Sequence, residues 1–172
     1  MKKKILSFAL VTVLVSSLFN IKTTAQEIKL GGGLVIGTEL PPLGLQFKGT
    51  YGMDMVLENL SGSVEFAIFF PSTQNNIKHS RWTLDFDGNY TFWSATGFDF
   101  YGIAGLNISH YAKKYTGPLV GVGDVIGTKP GLNVGAGVNF AFNQQLTAFS
   151  EVKYILSNYD QAAFNVGVLF EL

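Results

Sequence analysis

The chain is 172 residues long, enough for one domain, and is 47% hydrophobic, 14% aromatic and only 14% charged. Soluble domains carry roughly one quarter charged residues, so this composition points away from an ordinary water-facing surface. Cysteine is absent, which excludes a disulfide framework, a thiolate metal centre and a lipid-modified N-terminal cysteine.

Lys2, Lys3 and Lys4 precede an apolar run from Ile5 to Phe19, followed by Thr23, Thr24 and Ala25. A basic start, an apolar stretch and a small-x-small site are the three parts of a secretory signal. The run is shorter than the roughly 20 residues that span a bilayer as a helix. We therefore expect residues 1–25 to be a cleaved signal and 26–172 to be a single domain. Cleavage would remove four of twelve basic residues and leave eight against twelve acidic ones. That balance offers no footprint for nucleic acid.

Eight alternating runs follow. The first two are Glu27 to Thr38, closed by Pro41 and Pro42, and Leu43 to Asp54. Ser63 to Phe70 is the third, and a polar loop over Pro71 to Ser80 separates it from the fourth, Arg81 to Phe92. The fifth is Phe98 to Tyr111, and the longest expected loop, Ala112 to Pro130, follows it. Gly131 to Phe142, Leu146 to Leu156 and a last run ending at Leu172 complete the set. Period-two alternation marks strands whose two faces meet different media. Runs of about 9–13 residues suit tilted membrane-crossing strands, whereas soluble strands average about 5–6.

The charges share one parity. Lys29, Lys48, Glu65, Arg81, Asp85, Asp87, Asp99, Glu151 and Lys153 all fall opposite the bulky apolar face. A charge facing mid-bilayer costs about 2–4 kcal/mol, which excludes it from a lipid-facing band. The apolar face is thus read as outward and the charged face as a lumen. Eight strands leave an interior that side chains fill, so these charges are expected to pair with one another and plug it. Aromatic residues gather near strand ends as two girdles, with Phe92, Trp93, Phe98 and Phe140 at the inner end and Trp82, Tyr111 and Tyr154 at the outer. The Gly-x-Gly stretches 31–33 and 135–137 lie inside strands and make room in a narrow lumen.

The terminal run carries Asn165, Gly167, Phe170 and Leu172 in a polar-x-Gly-x-x-hydrophobic-x-hydrophobic pattern. This resembles the C-terminal signal that barrel-assembly machinery reads. Gly135 to Val138, followed by Glu151-Val152-Lys153-Tyr154, is similar to the closing strands of small eight-stranded outer-membrane β-barrels of the OmpA, OmpX, OmpW and opacity-protein type. The resemblance covers the mature chain in architecture and about the last forty residues in local pattern. It implies an all-β, eight-stranded, antiparallel up-and-down transmembrane barrel in a Gram-negative outer membrane, with that machinery as a partner during insertion. It implies little about activity, because one fold hosts many functions.

Lys78, Lys113, Lys114 and Lys129 cluster near the expected outer loops, where they could meet lipopolysaccharide phosphates as point charges. His79 and His110 are the two histidines, and each is adjacent to a serine, Ser80 and Ser109. Neighbours on a strand point oppositely, so neither pair forms a His–Ser site by itself. The expected role is structural or surface-interactive, as a monomer, with no catalytic centre, metal or cofactor. The alternatives are a narrow conduit for small or apolar solutes, a lipid A-modifying enzyme, and a soluble lipocalin-type barrel with its apolar face inward.

Overall fold

The computed structural model describes residues 27–116, 124–157 and 160–172. The expected signal segment lies outside them. Nine strands form among the described residues, in order β1 (Ile28–Gly37), β2 (Leu43–Gly52), β3 (Leu60–Phe69), β4 (Ser72–Gln74), β5 (Ile77–Ala95), β6 (Phe98–Tyr115), β7 (Val125–Ala141), β8 (Leu146–Leu156) and β9 (Gln161–Glu171). All pairings are antiparallel, and β1 pairs with β9 while β3 pairs with β5. The wall therefore closes through eight strands, with β4 as a short appendage on the outer part of β5.

Turn chemistry sets several of the connections. Asn75 and Asn76 both have positive φ, 51° and 60°, between the paired Gln74 and Ile77. Thr96 and Gly97 do the same between Ala95 and Phe98. Two-residue turns of this hand match the twist of the strands they join, and Asn and Gly tolerate the left-handed backbone. Asn143 closes the β7–β8 turn by accepting the amide N–H groups of Gln145 and Leu146, both at 2.8 Å.

The faces divide as the parity requires. Phe47 is 60% and Phe170 52% exposed on the outside, with Leu34, Val64, Leu106, Val134 and Val152 among their exposed neighbours. Inside lie Gln46, Lys48, Glu65, Asp85, Asn133, Glu151 and Lys153, all buried. An apolar-inward, lipocalin-type arrangement is thereby contradicted. A β-bulge between Thr91 and Trp93 lets the consecutive Phe92 and Trp93 both face outward. Near the inner turns Trp93 stacks toward Phe100 at 4.9 Å and Phe98 toward Phe140 at 4.6 Å.

The outer ends differ from the sequence expectation. Residues 112–115 and 125–130 are strand, and the β6–β7 ladder runs on to Lys113 opposite Val125. The β7–β8 ladder stops at Leu132 opposite Leu156. Strands β5, β6 and β7 thus continue past their neighbours as a sheet standing above one side of the barrel. Gly127 and Pro130 read as loop signals, but Pro130 occupies a stretch of β7 that β8 does not pair, and an edge tolerates proline. The Pro71 to Ser80 loop likewise contains β4 and the start of β5.

Candidate functional site

The middle of the lumen is filled by one polar network. Lys48 Nζ lies 3.0 Å from Glu65 Oε1 and also bonds Glu151 Oε1. Lys153 Nζ bridges Glu65 Oε2 at 2.6 Å and Asp87 Oδ2 at 3.0 Å. Gln46 donates to Glu65 at 2.9 Å and Tyr101 to Glu151 at 2.8 Å. Among the described residues Asp85 meets no ammonium within ion-pair distance. Its Oδ1 accepts from the amides of Asn107 at 2.6 Å and Asn133 at 2.8 Å. Two ammonium groups therefore face four carboxylates, and neutral amides make up the difference.

Glycine register explains how these groups meet. Asp87, Gly105 and Asn133 stand side by side on β5, β6 and β7, as do Tyr101, Gly137 and Glu151 on β6, β7 and β8. Asn133 reaches across Gly105 to Asp87 at 2.7 Å, and a Cβ on Gly105 would sit 2.1 Å from Asp87 Oδ1. The Tyr101 ring lies over Gly137, where a Cβ would come within 2.5 Å of it. On β1 the requirement is different. A Cβ at Gly31 or Gly33 would meet the β9 backbone carbonyls at 1.9 and 2.1 Å. Small residues here allow both side-chain reach and close strand approach.

The remaining expected lumen charges sit at the ends. Lys29 pairs with Glu27 at 2.5 Å, and Asp99 accepts from Ser94 at 2.6 Å; both residues border a mouth cavity of about 150 Å³ at the end holding the β5–β6 and β7–β8 turns. Arg81 lies toward the opposite mouth, where it bonds Gln161 and the Pro41 carbonyl and stacks 3.7 Å from the Phe69 ring centroid. Between the mouths, a cavity of about 20 Å³ lined by Asp85, Asn107 and Lys153 is roughly the space of one water. The neutral members of the network, Gln46, Tyr101, Asn107 and Asn133, carry no charge to mark them. Their shared parity with Lys48 and Glu65 is the signal that finds them.

The four lysines divide by parity. Lys113 and Lys129 share the lumen side with Ser109 and Tyr111 and line the outer mouth, whereas Lys78 and Lys114 stand opposite each other on the exposed outer face. Tyr111, expected in the outer girdle, instead turns into the mouth, where Lys129 lies 5.6 Å from its ring. Its odd number on β6 places it with Tyr101 rather than with His110. His110 stacks on Trp82 at 5.2 Å, and its Nδ1 is 2.9 Å from Thr128 Oγ1. Ser109 faces the other way and donates to Asn107 at 2.7 Å. No His–Ser pair forms among the described residues, and no carboxylate there is hydrogen-bonded to His110. Near the chain end, Asn165 and Gly167 face inward against Glu151 and Phe149, while Phe170 and Leu172 face outward.

A closed antiparallel barrel with an exposed apolar exterior and a charged, filled interior defines an integral β-barrel of the outer-membrane type. Solved structures share this fold. Neisserial surface protein A matches with a TM-score of 0.61 and 14% identity, over 86% of this chain and 97% of that one. Ail, the attachment invasion locus protein of Yersinia pestis, gives 0.57 and 14% over the same shares. The N-terminal β-barrel domain of Pseudomonas aeruginosa OprF gives 0.62 and 13%, again over 86% and 97%. No family model matches the chain, and no curated protein matches it in sequence.

Proposed function

We propose that this protein resides in the outer membrane as a monomeric barrel whose work is done by its outer rim, in adhesion, recognition or membrane stabilisation. The observation that carries this reading is the pairing of a plugged lumen with strands β5 to β7 that extend beyond the rest of the wall. A rigid wall that continues past the membrane presents residues to the outside, where binding specificity resides on such scaffolds. Two proteins of the same fold are named, respectively, a surface protein and an attachment invasion locus protein. The chemistry on the outer face supports contact with lipopolysaccharide. Lys78 and Lys114 oppose each other directly, a like-charge pair that a bridging phosphate would relieve. Asn165, Gly167, Phe170 and Leu172 serve, on this reading, as the strand that the barrel-assembly machinery recognises. The lumen carries no solute, and the chain has no catalytic centre.

The test compares cells with and without the protein for retention on glycan-coated and host-cell surfaces, beside solute uptake into vesicles holding the purified barrel. The reading expects protein-dependent retention and no uptake. Uptake without retention would replace it with the conduit.

A further inference from the structure

Three connections among the described residues close the inner end of the barrel, and one of them is apolar at its tip. The β5–β6 turn is made by Thr96 and Gly97, and the β7–β8 turn centres on Asn143, Gln144 and Gln145. The β2–β3 connector instead carries Met55, Val56 and Leu57 in succession, 75%, 74% and 52% exposed. Contiguous apolar exposure marks a surface that something covers.

The connector is ordered from within. The amides of Val56 and Leu57 both donate to the Met53 carbonyl, at 2.8 and 3.2 Å, and the Leu60 amide donates to the Leu57 carbonyl at 3.1 Å. Backbone N–H groups that approach hydrocarbon need such internal partners. The two sides of the connector differ in character. Asp54 and Asn59 border the inner mouth, where the Asn59 amide donates to Asp54 Oδ1 at 2.9 Å. Met53 and Leu60 border a recess of about 560 Å³ in the outer wall, beside Leu30, Tyr51, Val64 and Phe86. One side therefore continues the polar mouth and the other continues the lipid-facing wall.

Position agrees with chemistry. Strands β2 and β3 have 10 residues each. That is about the 9–11 residues that just cross the hydrocarbon, so no spare strand carries the connector clear of lipid. The Asn59 carbonyl accepts the Thr91 amide at 3.0 Å, which sets the connector beside the outward girdle residues Phe92 and Trp93. Aromatic girdles mark the membrane interface.

We propose that the β2–β3 connector is a membrane-inserted lip, with Met55, Val56 and Leu57 among the acyl chains of the inner leaflet. Continuity with the lipid-facing wall through Met53 and Leu60 selects lipid over a partner docked from below. Glu58 is exposed and stays in the headgroup layer, while Asp54 stays on the mouth side. The lip is independent of what the outer rim binds.

The chain lacks cysteine, so Val56→Cys and, as a control, Gln144→Cys can each carry one environment-sensitive fluorophore. The full-length variants are folded into phosphatidylcholine vesicles, with heat-modifiable migration as the check on folding. The label at position 56 should be quenched severalfold more than the control by nitroxide-bearing acyl chains, and severalfold less by aqueous iodide. Equal quenching at the two positions overturns the lip. The native chain supplies a measurement that needs no label. In nanodiscs of the same lipid, the Val56 and Leu57 methyls should show nuclear Overhauser contacts to acyl-chain protons, and the Thr96 methyl should not. Contacts of the Val56 and Leu57 methyls to water alone overturn the proposal. Shielding of position 56 from iodide that appears only on adding periplasmic extract also overturns it, and assigns the surface to a protein.

Discussion

Lys153 and Arg81 are both lumen-parity cations, both nearly inaccessible to solvent, and their surroundings treat them oppositely. Lys153 sits between Glu65 and Asp87, and its neighbour Lys48 sits between Glu65 and Glu151. Arg81 has an amide, a peptide carbonyl and an aromatic ring. The middle of the barrel consumes its charge internally, with an excess of carboxylate held by asparagine amides. At the outer mouth the buried Arg81 instead has neutral hydrogen-bond partners, and the carboxylate of Glu39 borders the same cavity. Burial alone therefore does not tell how a lumen charge is compensated. The identity of the partners does.

The sharpest way to break the comparison is Lys153→Met, which strips the cation from two buried carboxylates. Removing one member of a buried ionic network leaves uncompensated charge and should cost about 3–5 kcal/mol. Urea unfolding in lipid vesicles, followed by tryptophan fluorescence, would measure it. Replacing Lys153, Glu65 and Asp87 together by apolar residues of similar size should recover much of that loss, because Lys48 keeps Glu151 and Asp85 keeps its two asparagine amides.

Phe47→Arg tests the other face. Phe47 lies midway along β2 and is exposed on the outside, so a charge there meets lipid and should cost about 2–4 kcal/mol. The same unfolding assay should show the penalty, while a shift to soluble, unpenalised behaviour would turn the faces inside out.

Gly137→Val probes how the network is assembled. The new side chain would displace the Tyr101 ring that spans Gly137 to reach Glu151. Overpacking of this kind should cost about 1–3 kcal/mol. A double-mutant cycle with Tyr101→Ala should recover most of it. The smallest effect is expected from K78Q/K114Q, below about 1 kcal/mol in stability because both charges are exposed. Its readout is instead reduced lipopolysaccharide carried through purification.

Strand parity was legible along most of the chain, the bulge at Thr91 to Trp93 excepted. The run Leu146 to Leu156 matches β8 residue for residue, and the charges it placed inward are inward. Parity is a property of a single strand, and alternation writes it directly into the residues. The outer sheet was not legible. Gly127, Lys129 and Pro130 have poor strand propensity, and only the β6 ladder beside them holds them extended. The pairing within the lumen was hidden for a related reason. Which charges meet depends on register across several strands and on the glycines between them, as with Asp87, Gly105 and Asn133. The expected network also grouped Arg81 and Lys29 with Lys48. All three share a parity, but height along the axis separates them, and a face assignment carries no height. Tyr111 shows the same limit in reverse, since its position near a strand end suggested the girdle and its parity sent it into the mouth.

The most direct test of the central claim, a lumen closed by its own ion pairs, is conductance of the purified barrel in a planar bilayer. The account predicts no steady current for the native chain and discrete openings once Lys48, Glu65 and Lys153 are all replaced by alanine. Steady ohmic current through the native barrel would contradict it.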